Sequence, residues 1–131
     1  MFILSTNIFA DESPFLALSD DLIAKATVSI EASKRPEDGP KPSWWKNHEL
    51  RGSIKDIRKL AKQFRKRVKR GRARTLVSKI KLKRIIANME TGNYMILNGG
   101  AEHLEAFPAT WKDVRDAIGA LASQMCCGTE E

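Results

Sequence analysis

Lysine and arginine are the residues of this chain whose number and spacing point most directly to a chemistry. Sixteen of its 23 basic residues lie between Arg51 and Arg84, where the only acid is Asp56, so that segment carries a net +15. The other 97 residues hold seven basic and fifteen acidic side chains, a net −8. Cations packed this densely, without interspersed glutamates to form i,i+4 pairs, repel one another until an anion arrives. A polyanion is therefore the expected partner, because clustered Lys and Arg are the electrostatic footprint of nucleic-acid binding. An acidic protein is the competing partner class.

The groups that could support other chemistry are few. His48, His103, Cys126 and Cys127 are the candidate metal ligands, and two separated histidines with an adjacent cysteine pair match no zinc-site spacing. Neighbouring cysteines do not readily bridge, so no disulfide framework is expected. His103, between Glu102 and Glu105, is the one candidate general base, as in a small ribonuclease. No second catalytic group is positioned by sequence, and no phosphate-binding loop, HExxH or GxSxG motif occurs. The expectation is a binding protein, not an enzyme, with neither cofactor nor metal.

The basic segment has a helical design. Ser53 reads as an N-cap with Asp56 in the first turn, and Gly71 as the stop. Ile54, Ile57, Leu60, Ala61, Phe64 and Val68 fall in one arc of roughly 120°. Lys55, Arg58, Lys59, Lys62, Arg65, Lys66, Lys69 and Arg70 take the opposite side, with Arg67 at its edge. Arg72, Arg74, Lys79, Lys81, Lys83 and Arg84 would extend the basic surface. The run FRKRVKRGRAR resembles arginine-rich RNA-binding segments and basic nuclear-import signals, a compositional likeness that implies an RNA partner without naming a family. Residues 75–89 are ambiguous. On a helix, Leu76, Val77 and Ile80 point nearly opposite to Leu82, Ile85, Ile86 and Met89, which suggests a break near Lys81; a strand fits about as well.

The remaining elements have to position that segment. Residues 1–9 read as a short apolar strand, followed by a helix capped at Ser13 or Ser19 and ending by Ser33. Residues 34–50 read as a Pro-rich loop carrying Trp44 and Trp45 among Lys41, Lys46 and His48. Those tryptophans would either stack on unpaired bases or pin the loop to the core. Thr91-Gly92-Asn93 and Asn98-Gly99-Gly100 read as turns around a buried strand at 94–97, and Pro108 as the close of a short helical turn. Thr110 and Asp113 would cap a scaffold helix over 110–126, whose stripe of Trp111, Val114, Ala117, Ile118, Leu121, Ala122 and Met125 serves the core or a homodimer.

The expected fold is thus a single mainly α domain over 1–131, with a two- or three-stranded β element and a long exposed basic amphipathic helix. The expected function is binding of duplex or structured RNA through phosphate contacts, in the manner of a small viral or mobile-element accessory protein that sequesters RNA. A smooth basic helix suits shape reading of duplex RNA. Among the basic residues only Gln63 offers an amide at recognition-helix spacing for reading adenine, which makes sequence-specific DNA readout by a helix-turn-helix the second choice, and a module docking on an acidic protein the third. The N-terminal stretch is a poor signal peptide and no segment approaches transmembrane length, so no membrane association is expected. The expected location is intracellular: cytoplasmic, or nuclear in a eukaryotic host.

Overall fold

The computed structural model describes residues 2–34, 44–102 and 104–127, with side chains described for 12–34, 47–102 and 104–126. Within them the chain forms four helices: α1 (Phe2–Ala32), α2 (Trp44–Lys69), α3 (Leu76–Leu97) and α4 (Phe107–Cys127). The described residues contain no β-strand, so the expected small sheet is corrected to an all-α bundle. The strand expected at 1–9 is the opening of α1, and that at 94–97 is the last turn of α3. Each was to have been the other's partner, and a lone strand has nowhere to place its backbone hydrogen bonds.

Contacts between distant residues fix the topology. Arg51 reaches Ser33, Arg58 reaches Thr27 and Arg65 reaches Asp20, so α1 and α2 run antiparallel. Lys81 meets Gln63, Ser78 meets Arg67 and Met95 meets Ser53, so α2 and α3 form an antiparallel hairpin along their length. α4 returns along α1, where Thr110 lies 3.2 Å from Ser29, and touches α3 only briefly, near Trp111. α2 and α4 occupy opposite corners of the bundle.

The core follows the apolar stripes. On α2 it runs through Leu50, Ile54, Ile57, Ala61, Phe64 and Val68, steps of three and four that keep one face of a 3.6-residue helix inward. α1 contributes Phe15, Leu22, Ala26 and Ile30, and Phe15 meets the Phe64 ring edge-on at 6.1 Å. On α4, Trp111, Val114, Ala117, Ile118, Leu121 and Met125 are all buried, as their spacing predicts.

Several boundaries differ from expectation. α2 begins at Trp44, within the stretch read as a loop, and Ser53 is a buried mid-helix residue instead of a cap. Leu50 extends the buried stripe by one step, and Asn47 is buried where its Oδ1 accepts the Ala101 N–H at 2.7 Å. That bond also steadies Ala101, whose φ of 68° is the one positive value at a non-glycine described residue. α1 runs through both expected cap positions and contains Pro14. Ser19 there turns its hydroxyl onto the Phe15 carbonyl at 2.8 Å. Pro108 opens α4 in its first turn, where a missing N–H is harmless, and Thr110 is inside the helix, donating to the Phe107 carbonyl.

α3 resolves the ambiguity of 75–89 as one continuous helix, N-capped by Thr75, whose hydroxyl accepts the Ser78 N–H. There is no break near Lys81. Both conflicting apolar sets are real: Leu82 and Ile85 face the core, while Leu76, Val77 and Ile80 face outward. The expected turn at 91–93 is helical too. Gly92 is buried there because the Trp111 ring lies where a side chain would project. Gly71, at φ 73°, ends α2 as expected, and Asn98-Gly99-Gly100 does form a turn.

Candidate nucleic-acid interface

The outward side of α2 presents Lys55, Lys59, Lys62, Lys66 and Lys69, all exposed and spaced at four, three, four and three residues. With a rise of about 1.5 Å per residue, this row is about 21 Å long. Exposed Arg70 and Arg72 continue it into the turn, and Arg58 and Lys62 share a shallow cleft with Lys55, Lys59, Gln63 and Lys66. None of these lysines is in an ion pair among the described residues. Water is left to solvate them, and mutual repulsion along the row is unrelieved. Asp56, the one acid of the 51–84 segment, is exposed at the edge of the row.

A second cleft lies between α2 and α3, lined by Asp56, Lys59, Leu60, Gln63, Arg84, Ala87 and Asn88. It brings Arg84 to the α2 row. Lys81 donates to Gln63 Oε1 at 3.0 Å, which turns the Gln63 amide N–H groups away from Lys81. Asn88 donates to the Arg84 carbonyl at 3.0 Å, leaving its own Oδ1 as an acceptor. Of the cleft residues, the sequence assigns Leu60 to the apolar stripe, Asp56 to the first helical turn and Gln63 to base reading, none of them to a cleft. Ala87 and Asn88 were missed, and only the helix-hairpin register places them there.

Several of the expected contact residues serve the fold. Arg67 is half-buried, donating through Nε to Ser78 Oγ at 2.9 Å and through a terminal nitrogen to Thr75 Oγ1 at 3.1 Å. It ties the end of α2 to the cap of α3. Arg74 stacks over the Phe15 ring at 4.8 Å and lies 4.0 Å from the Glu12 carboxylate. Glu12, itself buried, accepts the Ala73 N–H at 2.9 Å, so the α2–α3 turn is bound to α1. Arg58 and Arg65 reach Thr27 and Asp20 on α1, and Lys81 is engaged with Gln63.

The helical rotation of about 100° per residue turns Lys83, and further Lys79, away from the α2 side that Arg84 faces. Both are exposed. The backbones of Trp44 and Trp45 form the first turn of α2, and their side chains lie outside the described residues, as does His103. The positive field of α2 reaches the end of α1. Glu31's carboxyl is held below its ordinary range first by its hydrogen bond and charge pairing with Lys34, then by Arg51 and Arg58. On α4, Lys112 and Asp116 pair at 2.9 Å, which raises the first and lowers the second; that face compensates its own charge.

Among the described residues, no group of three or more His, Cys, Asp or Glu side chains is placed to hold a metal ion, and no helix is long and apolar enough to cross a membrane. The chain matched no family model, no curated protein and no solved structure.

Proposed function

We propose that this protein binds nucleic acid through the outward face of α2, and that duplex or structured RNA is its preferred ligand. The observation that carries this reading is the row Lys55, Lys59, Lys62, Lys66 and Lys69, exposed and outside any ion pair while neighbouring arginines are engaged within the fold. Retaining five adjacent unneutralised ammonium groups on one helix face is electrostatically unfavourable for the free protein, and phosphates relieve it. Lysine is a flexible point charge with no fixed planar geometry, which suits backbone tracking over base reading.

The hairpin geometry favours this over a helix-turn-helix regulator. In that motif the two helices cross at about 90–120° so that the second can enter the major groove. Here α3 lies antiparallel against α2, and the start of α3 exposes Leu76, Val77 and Ile80 in place of polar base-reading groups. A straight basic row fits the shape-and-phosphate mode by which duplex RNA is recognised. The biological role we attach to it is sequestration of RNA, in keeping with a small accessory protein.

Substituting Lys62→Glu, Lys66→Glu and Lys69→Glu together tests the reading. Binding should be lost while the thermal melting profile stays close to that of the parent, since all three are exposed. Equal binding by the parent and the triple variant would refute it.

A further inference from the structure

Among the described residues, six large hydrophobic side chains are exposed, and five of them lie on α3: Leu76 at 72%, Val77 at 46%, Ile80 at 41%, Tyr94 at 68% and Leu97 at 85%. Scattered exposed apolar residues need no explanation, but several on one face of one helix do. Projected at 100° per residue, Leu76, Ile80 and Tyr94 fall within about 40° of one another, with Leu97 at the edge and Ala87 between the two ends. Lys83 and Glu90 lie on the Leu97 flank of Ala87, between Tyr94 and Leu97 in projection and on either side of Ala87 along the helix.

We infer that this face pairs with the same face of a second copy of the chain, the two α3 helices running antiparallel about a two-fold axis at Ala87. That arrangement sets Leu76 against Leu97 and Ile80 against Tyr94 of the second copy, and repeats both contacts by symmetry. It also sets Lys83 opposite Glu90 on the same flank, twice. The exposed Ala87 methyl at the crossing lets the helix axes come close. Charge selects the direction: in a parallel pair the two-fold carries each flank to the opposite side, so Lys83 would not meet Glu90 of the second copy. This surface meets the α2 row only at the α2–α3 cleft, which Ala87 also lines, and the inference does not depend on nucleic-acid binding.

A contact along one 22-residue helix is about 33 Å long, which places it at the small end of specific interfaces. The dimer should therefore form reversibly with concentration. Sedimentation velocity on nucleic-acid-free protein, over about a hundredfold range of concentration, tests it. The sedimenting mass should rise from 14.7 kDa toward twice that value. Ala87→Glu, at an exposed position, should hold the protein monomeric with an unchanged helical circular-dichroism spectrum. Lys83→Glu and Glu90→Lys should each weaken the dimer, and the two combined should restore it. A mass of 14.7 kDa throughout, or a dimer indifferent to Ala87→Glu and to both charge changes, overturns the proposal.

Discussion

Gly92→Ala sets two opposed effects against each other at a position where the structure gives their sizes. Alanine is the better helix former by about 1 kcal/mol, so a mid-helix glycine in the open would be improved by the change. At Gly92, however, the added Cβ would lie 2.7 and 2.9 Å from Cη2 and Cζ2 of Trp111, closer than carbon atoms approach in folded proteins. The indole cannot yield easily. It is buried, its Nε1 donates to Asn93 Oδ1 at 2.8 Å, and it is stacked near Phe107 at an interplanar angle of 15°. Overpacking a core contact costs about 1–3 kcal/mol, and letting the ring retreat would also strain the Asn93 bond. The expected net is a destabilisation of about 1–2 kcal/mol, or about 4–8 °C in melting temperature for a domain of this size. Thermal melting followed by circular dichroism reads the shift, and tryptophan fluorescence reads the ring's displacement. A melting temperature raised by the substitution would refute the tight seating of Trp111 against α3.

The other predictions concern which basic residues build the fold and which bind. Arg67→Ala should lower stability by about 2–3 kcal/mol, because two charged hydrogen bonds to Ser78 and Thr75 are lost; Lys66→Ala, one residue away and exposed, should leave it within about 0.5 kcal/mol. Denaturant titrations of the pair separate these outcomes, and equal stability would show Arg67 to be a surface group. Glu12→Ala strands the Ala73 N–H and removes the acid facing Arg74, so a loss of about 1–3 kcal/mol is expected in the same titration. Ligand affinity should fall with salt on a log–log slope of about −4 to −5, as expected for roughly five neutralised phosphates. Lys62→Ala should reduce that slope by about one; an unchanged slope would remove Lys62 from the interface.

The parts of the fold legible in the sequence are those where one apolar stripe faces one core. α2's buried face from Ile54 to Val68 and α4's from Trp111 to Met125 are both read correctly from spacing, and Gly71 marks the end of α2 as a left-handed stop. α3 was ambiguous for a physical reason: it carries an inward stripe and an outward one, and periodicity in the sequence does not say which of two apolar faces is covered. The glycine at 92 read as a turn because the tryptophan that explains it lies nineteen residues further along. In the candidate site, the lysine row was legible because its spacing is local. Which arginines serve the fold is not legible there, since the partners of Arg58, Arg65 and Arg74 come from α1, distant in sequence.

The measurement that bears most directly on the central claim is a mobility-shift series on duplex RNA, duplex DNA and single strands of one sequence, at two salt concentrations. Tightest binding to duplex RNA, weakening steeply at the higher salt, is the predicted result. Absence of a shift on every probe at low salt would contradict the account and assign the α2 row to an acidic protein.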